Sequence, residues 1–130
     1  QAVYDLSYYL SKSYKHLFGC TRSFTRELIN AFPALDLSCP TEDTPLLLRA
    51  FLLNRKVATL QEIMVKYRIH DNNISSPKNI VLMNVNSIFA QYNKDVKFAR
   101  DKNYISHKEY GLIKKVEKKA GLGKRVFLSN

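Results

Sequence analysis

The 130 residues include no tryptophan, so the aromatic share of 12% is all Tyr and Phe. Two cysteines, Cys20 and Cys39, are too few for a disulfide framework. They suit a reducing compartment as small buried hydrophobes, and with three scattered His they make no zinc-site spacing. No apolar run approaches the ~20 residues a membrane-crossing helix requires. The first segment carries Asp5, Lys12 and Lys15 and is not expected to be a signal peptide. The chain opens on Gln1 rather than Met, so a processed or excised piece is the expectation. Glycine is scarce, and Gly121-Leu122-Gly123-Lys124 lacks the spacing of a phosphate-cradling loop. No internal repeat or low-complexity segment stands out.

Acidic residues are also scarce, 11 against 21 Lys and Arg, giving a net charge of +10. The surplus is uneven: residues 94–130 hold 11 basic and 4 acidic residues, and residues 1–93 hold 10 and 7. A basic tail suits an anionic partner such as a membrane surface, a phosphorylated ligand or nucleic acid. A solvated, solubilising helix face is an equal reading of the same charges. With 45% hydrophobic residues the chain can bury one core, and its length suits one domain or a piece of a larger one.

What is present is mostly helical periodicity. Residues 3–15 place Val3, Leu6, Leu10 and Tyr14 near helical spacing. Residues 16–24 read as extended, with Gly19 permitting a bend. Residues 25–32 form a short helix stopped by Pro33. A loop follows to Pro40. Thr41 then offers an N-cap, and Glu42 and Asp43 fall in the first turn, where the helix dipole favours carboxylates. The helix they open runs to about Asn54 and is apolar nearly all round, so it should be buried, with Arg49 and Arg55 on its wetter side. Pro45 is tolerated in the first turn.

Residues 57–60 make a short strand, and 63–70 alternate as a second. Ser76 caps a long helix that starts at Pro77 and ends near Arg100, with Val81, Val85, Ile88, Phe89, Tyr92, Val96 and Ala99 as its stripe. Ser106 and Glu109 form a capping box for a last helix, which ends near Lys119 at Gly121 and Gly123. The expected class is α+β and mostly helical, with two or three short strands and about five helices.

Four features line up in order: Gly19-Cys20-Thr21-Arg22-Ser23-Phe24-Thr25-Arg26-Glu27-Leu28, the acidic pair Glu42-Asp43, the apolar helix with Arg49, and Tyr67-Arg68-Ile69-His70-Asp71-Asn72-Asn73-Ile74-Ser75. The series resembles the C-terminal half of the family 2 glycosyltransferases of the GT-A fold, over roughly residues 16–76. Its most specific part is the Tyr-Arg-x-His-x-x-Asn-x-Ser element. The resemblance divides the chain into an acceptor-side, base-carrying half of a GT-A domain, 1–76, and a basic helical extension, 77–130.

That resemblance implies an inverting, nucleotide-sugar-dependent transferase acting on a saccharide or lipid-linked hydroxyl in polysaccharide or cell-envelope biosynthesis. Asp43 matches the general base, with Glu42 its support. His70 matches the histidine near the metal-bound diphosphate, and Arg68 is a phosphate partner beside it. Cys20 and Thr21 border the acceptor pocket. A divalent metal, Mn or Mg, belongs to the complete enzyme. This chain has no N-terminal βαβ series and no Asp-x-Asp motif, so it is expected to bind no metal by itself and not to turn over alone. The expected place is cytoplasmic, peripheral at the inner membrane face through residues 94–130. The rival class is a basic helical binding module for a protein, membrane or nucleic-acid partner. Nucleic acid is disfavoured because the Lys and Arg are not interleaved with stacking aromatics.

Overall fold

The computed structural model describes residues 2–11, 21–73 and 76–127. The fold is α+β and mostly helical. Val3–Tyr4 (β1) pairs antiparallel with Val57–Ala58 (β2), Val3 opposite Ala58 and Tyr4 opposite Val57. The Thr59 N–H donates to the Ala2 carbonyl at 2.9 Å and lengthens the ladder by one rung. This corrects the expected helix over 3–15. Val3 and Tyr4 find a strand partner, and helix Leu6–Ser11 (α1) begins only after Asp5. The Asp5 carboxylate accepts from the Tyr8 N–H at 3.1 Å and the Ser7 hydroxyl at 2.6 Å, which caps α1 at that point. Those two donors hold the Asp5 carboxyl below its ordinary pKa. The remainder of the expected helix, and residues 16–20 of the expected extended run, lie outside the described residues.

Helix Arg26–Asn30 (α2) is capped by Thr25, whose hydroxyl accepts from the Leu28 N–H at 3.3 Å. Helix Asp43–Leu52 (α3) is the centre of the molecule. Seven of its ten residues are buried, Leu48 and Leu52 completely. It ends in a Schellman motif: the Asn54 N–H donates to the Phe51 carbonyl and the Arg55 N–H to the Ala50 carbonyl, both at 2.9 Å, with Asn54 at φ 55°. Arg49 is not on a wet side. It is 2% exposed and faces the core.

The expected strand over 63–70 does not form. Residues 61–70 are exposed and join no strand ladder among the described residues, Ile63 being 93% and Ile69 85% exposed. Alternation prepares a segment for pairing, but a strand needs a neighbour, and among the described residues only β1 pairs with this part of the chain.

The expected long helix over 77–100 is two: Pro77–Leu82 (α4) and Val85–Asp101 (α5). Asn84 divides them, its side chain accepting from the Ser87 N–H at 3.3 Å as the N-cap of α5. The Ser76 hydroxyl accepts from the Asn79 N–H at 3.4 Å, so the expected cap of α4 forms. Helix His107–Phe127 (α6) opens on the expected capping box: the Ser106 N–H donates to Glu109 Oε2 at 2.7 Å, and the Glu109 N–H donates to Ser106 Oγ at 3.2 Å. It then passes through Gly121 and Gly123 instead of ending there. Glycine in a helix costs roughly 1 kcal/mol relative to Ala, too little to force a stop.

One core joins these elements. Leu47, Leu48, Phe51 and Leu52 of α3 pack with Ile88, Tyr92, Val96 and Ala99 of α5, Ile113 of α6, Leu6 and Tyr9 of α1, and Phe32 after α2. Residues on both sides of position 76 therefore share one interior. Phe32, Phe98 and Tyr104 add an aromatic cluster with ring centroids 5.4 to 6.3 Å apart.

Candidate functional site

The acidic pair stands at the start of α3, on a tightly held approach. The Cys39 thiol donates to the Thr41 carbonyl at 3.2 Å. The Thr41 hydroxyl accepts from the Asp43 N–H at 3.4 Å, so Thr41 meets an orphan amide as expected. The N-cap position itself falls to Glu42, whose side chain makes no capping bond. The Asp43 carbonyl accepts from the Arg22 guanidinium, which ties the 21–25 segment to the first turn of α3. The Glu42 carboxylate is exposed and that of Asp43 half-buried, and among the described residues neither has a hydrogen-bond or ionic partner. Beside them the Thr44 hydroxyl is buried without a hydrogen bond among the described residues.

A cleft of about 720 Å³ opens along the same helix. Leu47 and Ala50 of α3 line it, facing Thr21, Arg22 and Phe24 on one side and β2 with Ile63, Met64 and Val65 on the other. Asp43, Leu47 and Ala50 follow one another at i, i+4 and i+7, which places them on one face of α3. Asp43 is thus about 6 Å along the axis from Leu47, one turn beyond the cleft lining and on the cleft face. Glu42 belongs to the neighbouring face, with Leu46 and Arg49. Glu42 is exposed and Asp43 half-buried, and neither lines the cleft itself.

Thr21 lines the cleft, whereas Cys20 lies outside the described residues. Arg68 and His70 are exposed and do not line the cleft. Their backbone is held: Asn73 Nδ2 donates to the Arg68 carbonyl at 2.9 Å and the Asn73 N–H to the His70 carbonyl at 3.1 Å. Asn73 thus shapes this turn and, through its own carbonyl, receives Asn79 Nδ2 at 2.7 Å. A divalent metal fits these residues poorly. Among the described residues no three of His, Cys, Asp and Glu converge, and His70 stands exposed with no carboxylate against its ring.

The residues missed by sequence reasoning lie behind the site. Arg49 donates to Asp95 of α5 through Nε and through one terminal nitrogen, both at 2.8 Å, and both side chains are 3% exposed. The Arg49 guanidinium also lies over the Phe32 ring, 5.0 Å from its centroid. Gln91 Nε2 donates to Asp95 at 2.9 Å, while Gln91 Oε1 accepts the Asp36 N–H at 2.8 Å. This network anchors α3 and the 33–40 loop to α5. A signal was present: Asp95 falls within the apolar stripe of α5, between Tyr92 and Val96, where a lone charge demands a buried partner.

No protein-family model, curated protein or solved structure matches this chain.

Proposed function

We propose that this chain is the acceptor-binding, base-carrying part of an inverting glycosyltransferase that uses a nucleotide-sugar donor. What supports the reading is Asp43, a carboxylate with no partner among the described residues, in the first turn of a rigid helix whose Leu47 and Ala50 line a cleft. A general base has to be within hydrogen-bond reach of the proton it takes, and a helix buried along most of its length fixes such a group well. An acceptor with its hydroxyl at the α3 end of the cleft would give its proton to the Asp43 carboxylate. The freed oxygen would attack the anomeric carbon from the side opposite the nucleotide. A carbon–oxygen bond forms there, the bond to the diphosphate breaks, and the configuration inverts. Glu42, at the adjacent position, would hold another acceptor hydroxyl or orient the first.

The resemblance assigns the nucleotide, and the divalent metal that would screen its diphosphate charge, to residues outside this chain. His70 and Arg68 lie on an exposed segment, free to meet such a neighbour. The acceptor would be a saccharide or a lipid-linked hydroxyl, handled at the inner face of a membrane. Among the described residues no helix is long and apolar enough to cross one. The test is product stereochemistry with the full-length protein and a panel of nucleotide sugars. Proton NMR of the new linkage should show the anomeric configuration opposite to the donor's. Retention, or no transfer from any donor, contradicts the assignment.

A further inference from the structure

We infer that the outer face of α6 is a docking surface for an anionic lipid bilayer. Ile113 is fully buried and fixes the inner face of this helix against the core. Lys108, Lys115 and Lys118 are exposed, and at about 100° per residue they fall within an arc of roughly 80° on the opposite side. None of the three has an ionic or hydrogen-bond partner among the described residues.

The acidic residues of the same helix are withdrawn from that face. Glu109 closes the capping box, and Glu117 is buried, accepting from Lys114 at 2.9 Å. Lys114 is engaged by Glu117 and by Asn93 of α5. Burial of the acids thus leaves a face of one sign.

Leu112, 39% exposed, sits one turn beyond Lys108 and just before Lys115. A large apolar side chain beside lysines matches a helix lying in the headgroup layer, where the apolar group enters and the ammonium groups meet phosphate. Among the described side chains of this face, residues 108–118, a nucleic-acid strand would find no arginine fork and no exposed stacking ring. Tyr110 is half-buried, with the Arg100 guanidinium over its ring, 4.6 Å from the centroid. The surface would act whether or not Asp43 is a base.

The test is co-sedimentation of the full-length protein with phosphatidylcholine vesicles, with and without phosphatidylserine. The protein should pellet with the anionic vesicles, remain in the supernatant with neutral ones, and release as ionic strength rises. Each lysine near such a surface contributes about 1 kcal/mol, so Lys108→Gln, Lys115→Gln and Lys118→Gln together should weaken binding roughly a hundredfold. Circular dichroism of the triple variant should match the parent. Pelleting with neutral vesicles alike, no pelleting at low salt, or an unchanged triple variant overturns the inference. So does retention of a duplex oligonucleotide in place of vesicles, which gives the face to nucleic acid.

Discussion

Burying a guanidinium costs several kcal/mol before any attraction is counted, and Arg49 recovers that only through its partners. Asp95 meets it with two bonds, Gln91 satisfies a carboxylate oxygen, and Phe32 covers the flat face. Removing one partner leaves an uncompensated charge in the core. Asp95→Leu or Arg49→Met should each cost about 3–5 kcal/mol in urea unfolding. The double variant Arg49→Met with Asp95→Leu should regain most of that loss. If it instead costs the sum of the two single changes, the pair is not acting as a unit.

Asp36 gives a second test at this scale. Lys94, then the Ser38 N–H and hydroxyl, hold its carboxyl well below the ordinary value of 3.8. Its contribution to stability is therefore complete above that ordinary value and is lost as pH falls through and below it. Asp36→Asn should flatten the fall in Tm below about pH 4. An equally steep fall in the variant would contradict the role.

Among the elements, short polar side chains decide where helices start and stop. Asp5, Thr25, Asn84 and Ser106 each accept from an amide in a first turn. Asn54 and Asn103, at φ 55° and 58°, turn the chain out of α3 and α5 in the left-handed region that Asn tolerates. Ser106→Ala removes one half of the capping box and should lower stability by about 1 kcal/mol, read as a shift in the urea midpoint. No shift would show that tertiary packing alone sets the start of α6.

The capping box was legible because Ser106 and Glu109 have the spacing the motif needs. Burial of α3 was legible from its apolar run, which only Arg49 interrupts. Asn84 was not legible, because the apolar stripe of α5 continues backwards through Val81 and hides the break. Nor was the pairing of Val3 with Ala58, which joins residues 55 positions apart and leaves no local trace. The 63–70 segment has the alternation of a strand but no neighbouring strand among the described residues, and pattern alone cannot supply one.

At the scale of the molecule, α5 and α6 are part of what holds α3 in place. The resemblance stops near residue 76, but the core does not: α3 packs on α5, and Arg49 is locked by Asp95 across that divide. The position of Asp43 thus depends on helices outside the recognisable motif. That dependence was half legible. The place of Asp43 in the first turn of α3 followed from the capping and dipole pattern, whereas the support behind that helix required knowing that Arg49 points inward.

The central claim, that Asp43 takes the acceptor's proton, is tested most directly by transfer kinetics of Asp43→Asn in the full-length protein. The substitution keeps the shape of the side chain and removes the base. General-base catalysis contributes about 10²–10⁴-fold, so kcat should fall by that factor while donor affinity, measured by calorimetry, stays unchanged. Transfer at the parent rate, with donor affinity likewise unchanged, would contradict the claim and return Asp43 to the start of a well-buried helix.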